Sequence, residues 1–287
     1  MKFIVAGLGN WYSMWNLIRE AASAADRLGF YGLAIPDHYI WGREAAAWEG
    51  VVEGFDATLE SWAALAYLSA ETERLKLGTL VTPMSLRPPT ILAKVVSTVD
   101  IISGGRVFLG VGAGWSRREF EVYSDWSEAA VRVDKTAEAV ELVKKLWTME
   151  RVDFMGRYYL VRNGILEPKP IQKPHPPLVF GGEHLRMLRL AGKYADICYI
   201  PPWIKMGFEK ALLTVRAAAS EAGRCDMIAF AGGRTSPLSS KFDPGAYIRD
   251  VEKALGIGCS YYVVSFPRDS YIQSMEAFAS TVIPSYT

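Results

Sequence analysis

VFLGVGAGW, residues 107–115, is the stretch on which the fold turns. Val107, Phe108 and Leu109 open an apolar run that Val111 continues. Short and bounded by glycines, it has the pattern of a strand buried on both faces. Gly104–Gly105–Arg106 ahead of it is a turn signal. Behind it come Gly112, Ala113 and Gly114, small enough to let backbone approach a ligand closely, and then Trp115, a flat apolar surface. Taken alone, the stretch also fits a tight strand-to-helix turn with a packing tryptophan, so the flanking chain has to decide.

Working outward, strand-like runs recur at residues 3–6, 32–36, 75–82, 178–180, 197–200, 227–231 and 261–266. Between them lie helical periodicities. Met14, Leu17, Ile18, Ala21, Ala24, Ala25 and Leu28 form one apolar stripe, with Ser13 placed as N-cap and Gly29 at the end. Ile91, Leu92, Val95, Val99 and Ile102 form another behind Pro88–Pro89. A small hairpin turning at Met155–Gly156 and a proline-rich connection interrupt the alternation at residues 151–170 and just beyond. Residues 40–55 read as a long irregular loop. Eight strands alternating with eight helices imply parallel pairing with helical crossovers. The expected fold is α/β, a (β/α)8 TIM barrel with insertions, in a single domain over residues 1–287. An open doubly wound sheet would want GxGxxG after the first strand, and Gly7–Leu8–Gly9–Asn10–Trp11–Tyr12 lacks the third glycine.

Lys plus Arg number 32 against 31 Asp plus Glu, a formal charge of +1, so neither nucleic acid nor a membrane surface is an expected partner. No apolar run reaches the ~18 residues of a membrane span, and the N-terminal run is too short for a signal peptide. Three dispersed cysteines and three histidines without ligand spacing argue against a disulfide framework or a metal site. A cytoplasmic protein is expected.

In a barrel of this kind the site lies at the C-terminal ends of the strands. Those ends gather Asn10, Trp11, Asp37, His38, Thr82, residues 112–115, Gly181, Gly182, Trp203, Arg234 and residues 266–268. Aromatic groups outnumber ionisable ones, which suits a bulky small-molecule ligand in an apolar mouth. Gly181–Gly182 ahead of the helix carrying Leu185 and Arg186 read either as a phosphate site or as a plain turn. Asp37–His38 read either as a hydrogen-bonded pair serving proton transfer or as structural. Glu119 and Glu121 are expected in solvent.

Several pieces together resemble the bacterial-luciferase-like family, in its branch that uses the deazaflavin coenzyme F420. They are Pro36–Asp37–His38–Tyr39, residues 77–83 (LGTLVTP), Leu92–Ala93–Lys94, residues 102–106 (ISGGR) running into residues 109–115 (LGVGAGW), and Gly181–Gly182 followed by residues 188–191 (LRLA). The resemblance implies a barrel with insertions and a homodimer. It implies a non-prolyl cis peptide at Leu80–Val81 supporting the coenzyme ring, with Thr82, Ala113, Gly114, Asp37 and His38 around it. The coenzyme phosphate is placed at Gly181, Gly182, Leu185 and Arg186. Relatives that oxidise glucose 6-phosphate carry a catalytic Glu where this chain has Trp115. With no basic cluster evident either, a less polar substrate is expected, walled by Trp11, Trp41, Trp115 and Trp203. The implied activity is hydride transfer between F420 and a small organic substrate, with His38 as the proton-transfer group and no metal. The alternatives are an FMN-dependent luciferase-like monooxygenase and a flavin-binding barrel without turnover.

Overall fold

The alternation closes on itself. In a computed structural model that describes residues 1–41, 56–224 and 228–286, eight parallel strands form a barrel. In order around it they are β1 (Lys2–Val5), β2 (Gly32–Ile35), β3 (Lys76–Thr79) with its short continuation β4 (Thr82–Pro83), β5 (Val107–Gly112), β8 (Leu178–Gly181), β9 (Ile197–Tyr199), β10 (Ala229–Gly233) and β11 (Tyr261–Val264). Closure comes from β11 beside β1, with Ile4 opposite Val263, and from β3 beside β5, with Leu77 opposite Val107. The two remaining strands, β6 (Val152–Met155) and β7 (Leu160–Gly164), make the antiparallel hairpin. Around the barrel run α1 (Trp15–Arg27), α2 (Ser61–Ala70), α3 (Pro89–Ile102), α4 (Arg117–Tyr123), α5 (Ala129–Thr148), α6 (Leu185–Tyr194), α7 (Phe208–Glu221), α8 (Pro244–Gly256) and α9 (Tyr271–Thr281). The open-sheet alternative is thereby excluded. None of the described helices is long and apolar enough to cross a membrane.

Strand alternation produces two cores, because successive side chains point to opposite faces. Ile4, Ala34, Phe108, Val179, Ile197 and Val263 fill the barrel. Their neighbours, such as Val5, Leu33, Leu77, Leu109 and Val264, join the layer between barrel and helices. All six residues of β5 are buried, as the opening stretch predicts. Close approach is written into it: a Cβ at Gly110 would lie 2.0 Å from the Thr79 carbonyl oxygen.

Four local expectations need correction. Ser13 lies inside a 3-10 turn, Tyr12–Met14, and α1 begins only at Trp15 with no side-chain cap. The third strand is not continuous over residues 75–82: it breaks at a cis Leu80–Val81 peptide and resumes at Thr82. The hairpin turns two residues later than expected, at Arg157–Tyr158, closed by Gly156 N–H donating to Tyr159 O at 2.9 Å. The Glu138 carboxylate caps that turn by accepting from the N–H groups of Arg157, Tyr158 and Tyr159. Residues 116–134, which the sequence presents as a short helical turn and a loop, contain all of α4 and the start of α5. The predicted loop over residues 42–55 and the first residue of the predicted strand at 227 lie outside the described residues.

The proline-rich connection lies against the barrel's outer layer. Buried Asp100 accepts from Ile171 N–H at 2.7 Å and from the Gln172 side chain at 2.6 Å, and Ser97 donates to Pro168 O at 2.6 Å.

Candidate active site

Past the end of β2, Asp37 and His38 take separate partners. Asp37 is fully buried, and its carboxylate is engaged by a bidentate Arg87, Nη1 to Oδ2 at 2.6 Å and Nη2 to Oδ1 at 2.8 Å. Thr82 Oγ1 donates to the same Oδ2 at 2.6 Å, and Arg87 Nε donates to the Tyr39 hydroxyl at 2.6 Å. Burial works against the Arg87 charge, but the Asp37 carboxylate outweighs it and the guanidinium pKa is raised. Asp37 is therefore an anchor beneath the site. The expected Asp37–His38 hydrogen-bonded pair does not form; both Asp37 oxygens are engaged by Arg87 instead. Removing one partner of a buried ion pair costs about 3–5 kcal/mol. Arg87→Met is expected to lose stability on that scale in chemical denaturation, and a loss below about 1 kcal/mol would mark the pair as marginal, as exposed pairs are.

The partner of His38 comes from α4. Glu119 Oε2 lies 3.0 Å from His38 Nδ1, and Glu119 Oε1 accepts from Tyr39 N–H at 2.6 Å. Glu119 is fully buried, against the expectation that it is solvated. Glu121 is the exposed one, paired with Arg117 at 2.6 Å. A seven-residue helix puts Glu119 and Phe120 inward and leaves Arg117, Arg118 and Glu121 outside. A carboxylate only accepts, so the Nδ1 proton sits between the two residues and Nε2 is the nitrogen left to take or give a proton. Asn10 holds the backbone side, its Nδ2 donating to His38 O at 2.6 Å and to Leu59 O at 2.9 Å.

Aromatic rings flank His38. Trp41 lies 4.4 Å from it and Trp115 5.4 Å, centroid to centroid, the latter edge to face. Trp41 Nε1 donates to Asn10 Oδ1 at 2.8 Å. Trp115 is 53% exposed and so is free to meet a ligand. Trp11 is not. At 0% exposure it packs behind Trp41, ring centroids 4.8 Å apart, so it backs the wall instead of lining it. Trp203 Nε1 donates to Glu183 Oε1 at 2.6 Å, next to Gly181–Gly182.

The third strand supplies the floor. Val81, on the C-terminal side of the cis peptide, fits against glycines of two strands, since a Cβ at Gly112 would lie 2.4 Å from Val81 Cγ2 and one at Gly181 would lie 3.0 Å from Cγ1. Leu80 packs against the barrel interior, and Thr82 is tied down to Thr79 at 2.9 Å and to Asp37. Ala113 follows β5, and Gly114 then turns with φ +78°, where a Cβ would strike Phe120. Farther round, α6 starts at exposed Leu185, and its N-cap His184 makes no side-chain cap hydrogen bond. The first N–H groups of the helix thus have no side-chain acceptor from the cap. Arg186 is not part of that end: it donates to Asp134 Oδ1 at 2.5 Å and to Ala130 O at 3.0 Å, on α5.

Glu119, Arg87 and Asn10 are the polar groups that fix His38 and the floor. Of them, the sequence reading placed only Asn10 at the mouth.

A family model for the luciferase-like monooxygenases matches residues 7–236. The chain is 30% identical over 231 residues to a phthiodiolone/phenolphthiodiolone dimycocerosates ketoreductase of Mycobacterium sp. (strain JLS), a match covering 73% of this chain and 60% of that protein. It is 34% identical over 212 residues to an F420-dependent glucose-6-phosphate dehydrogenase of Segniliparus rotundus, covering 71% and 59%. The chain thus spans about three fifths of the length of these relatives. In structure it overlays along its full length on an F420-dependent secondary alcohol dehydrogenase held with an F420–acetone adduct, with a TM-score of 0.82 at 19% identity.

Proposed function

We propose, for a chain that belongs to the luciferase-like monooxygenase family, that it is an F420-dependent oxidoreductase acting on a small organic molecule. The observation that carries this reading is the juxtaposition of the buried His38–Glu119 pair with Trp41 and exposed Trp115 at the barrel mouth. The matched ketoreductase and dehydrogenase point to the same chemistry.

The residues fit a flat tricyclic ring. The floor is apolar and close-packed at Val81, whose methyl groups occupy the space that a side chain at Gly112 of β5 or Gly181 of β8 would need. Leu80, Val81, Thr82, Ala113 and Gly114 are the residues that would hold the ring. Gly181, Gly182 and the start of α6 would receive the phosphate, the N–H groups and helix dipole favouring an anion. When bound, the deazaflavin supplies the hydride-transfer chemistry. The chain's own share is positional and protonic. Val81 and its glycines fix the ring plane, Trp115 and Trp41 hold the substrate beside His38 and exclude water, and His38 Nε2 takes the proton of a substrate alcohol or returns one to a carbonyl oxygen. Glu119 holds the imidazole in the tautomer that leaves Nε2 for that step. With Trp115 at the end of the loop after β5, no carboxylate from that position takes part. In the same reading the enzyme is a cytoplasmic homodimer.

Equilibrium titration of the purified protein with F420 and with FMN, followed by fluorescence, tests the reading. F420 is expected to bind at least tenfold more tightly. A preference for FMN would move the protein to the flavin monooxygenases, and binding of neither would end both readings.

A further inference from the structure

A glycine steers the chain as it leaves β1. Gly9 has φ +70°, where glycine alone is comfortable, and the Trp11 ring folds back over it: a Cβ there would lie 2.1 Å from that ring. Asn10, between the two, is 1% exposed. Both polar atoms of its side chain are engaged. Nδ2 donates to His38 O at 2.6 Å, to Leu59 O at 2.9 Å and to Ser61 Oγ at 3.2 Å, and Oδ1 accepts from Trp41 Nε1 at 2.8 Å. The backbone adds to this. Asn10 O accepts from Leu59 N–H at 2.8 Å, Tyr12 N–H donates to Ala57 O at 2.8 Å, and Thr58 Oγ1 donates to Tyr39 O at 2.5 Å. Residues 38–41 and 57–61 are thereby clasped to each other and to the exit of β1.

The partners leave the amide one orientation. Carbonyl oxygens only accept and an indole N–H only donates, so Nδ2 must face the carbonyls and Oδ1 the indole. An aspartate would turn an acceptor on two carbonyl oxygens, and a leucine of similar size would leave every one of these groups unpaired.

What the amide holds is a wall of the site. The Trp41 indole packs against the Trp11 ring at 4.8 Å and against the His38 ring at 4.4 Å, centroid to centroid, and Trp115 meets the same imidazole at 5.4 Å. With its N–H anchored on Asn10, the Trp41 ring cannot swing away from His38, so the space beside the imidazole keeps one size. Hydrogen bonds of this kind behind a site are what hold its contacting side chains in a single geometry.

We propose that Asn10 is a positioning residue that sets substrate specificity: through Trp41 it fixes the size of the group that can reach His38. The inference rests on the reading of the barrel mouth as the site of F420-dependent oxidoreduction and deepens it. Buried as it is, Asn10 acts through the indole and the His38 backbone, not on the substrate.

The test uses the full chain and has two arms. The first needs no substrate. Acrylamide quenching of tryptophan fluorescence is compared in wild type, Trp41→Phe, Asn10→Leu and the double variant. Wild type minus Trp41→Phe isolates the Trp41 emission, and the same difference in the Asn10→Leu background reports Trp41 after its release. Its quenching constant is expected to rise by about twofold or more, as coupling between two contacting residues in such a cycle. In the second arm, reduced F420 is supplied with acetone, cyclohexanone or acetophenone. Dividing each kcat/KM by that for acetone within one variant cancels changes in coenzyme binding and in His38. Asn10→Leu should shift this ratio toward the bulkier ketones by about tenfold or more, the scale on which a pocket separates substrates that differ by a methylene. Trp41→Phe should shift it the same way, and the double variant no further than the larger single shift, because the two residues act as one unit. A merely structural Asn10 lowers all three ketones alike and leaves the ratio unchanged. That result, or a Trp41 quenched equally with and without Asn10, overturns the proposal. Where Asn10→Leu does not fold, Asn10→Ser replaces it, since its hydroxyl is too short to reach the indole while water can serve the carbonyls. Failure of F420 to bind overturns the coenzyme reading instead; there, or where no ketone is reduced, the quenching arm alone decides on Asn10.

Discussion

His38→Ala lowers turnover by roughly 10²–10⁴-fold, the usual contribution of a positioned general acid or base, while the affinity for the coenzyme changes only a few-fold. The geometry sets both halves of this expectation. His38 is held from three directions, by Glu119 at Nδ1, by Asn10 at its carbonyl and by the rings of Trp41 and Trp115, and Nε2 is the atom left for chemistry. The floor and the phosphate end of the proposed coenzyme site belong to Val81 and to the start of α6, which the substitution leaves alone. Glu119→Gln is the companion measurement. An amide can donate as well as accept, so it permits the opposite tautomer of His38. Turnover should fall by less than in His38→Ala. Coenzyme-dependent turnover that is normal in His38→Ala, once a substrate is in hand, would return His38 to a structural role and leave water as the proton carrier.

The fold was legible because periodicity is a local signal. The stripe from Met14 to Leu28 and the apolar run of β5 each fix an element without knowledge of the rest, and their alternation fixes parallel pairing. The break at Leu80–Val81 came from the family resemblance, not from spacing. The site was legible only where a strand end advertises it. His38 follows β2 and was found; its partner Glu119 sits among Arg117, Arg118 and Glu121, a charged run that looks solvated until α4 turns one face inward. Asp37 was misread for the opposite reason. Adjacency in sequence suggested partnership with His38, but the partner of Asp37 is Arg87, 50 positions away. Trp11 and Trp41 read alike on the page, and only packing puts one behind the other. Arg234 was seen at a strand end, but the burial of its Nε depends on the kink at Gly233.

Gly182→Asp weakens coenzyme binding severely, by about 10²-fold or more, since like charges brought together in a site cost several kcal/mol and each ~1.4 kcal/mol is tenfold. The structure complicates the obvious version of this experiment. A Cβ at Gly182 would lie 2.8 Å from Met187 Cβ, so any side chain there makes the first turn of α6 shift. Gly182→Ala imposes the same steric demand without charge and is the necessary reference. Alanine should weaken F420 by less than about tenfold, leaving the remainder of the aspartate effect to the carboxylate. Fold stability separates the two causes further. A carboxylate at a helix N-terminus is favourable to the helix itself, by roughly 0.3–1 kcal/mol. Gly182→Asp should therefore be no less stable than Gly182→Ala without coenzyme, yet bind far worse. The exposed carboxylate of Glu183 is already close by, but its Oε1 accepts from Trp203 Nε1 at 2.6 Å, which draws it toward β9. Equal losses in the two variants would make the effect one of packing against Met187 and reduce the glycine pair to a turn. A selective loss in the aspartate variant identifies the start of α6 as the place where the coenzyme's negative charge is received.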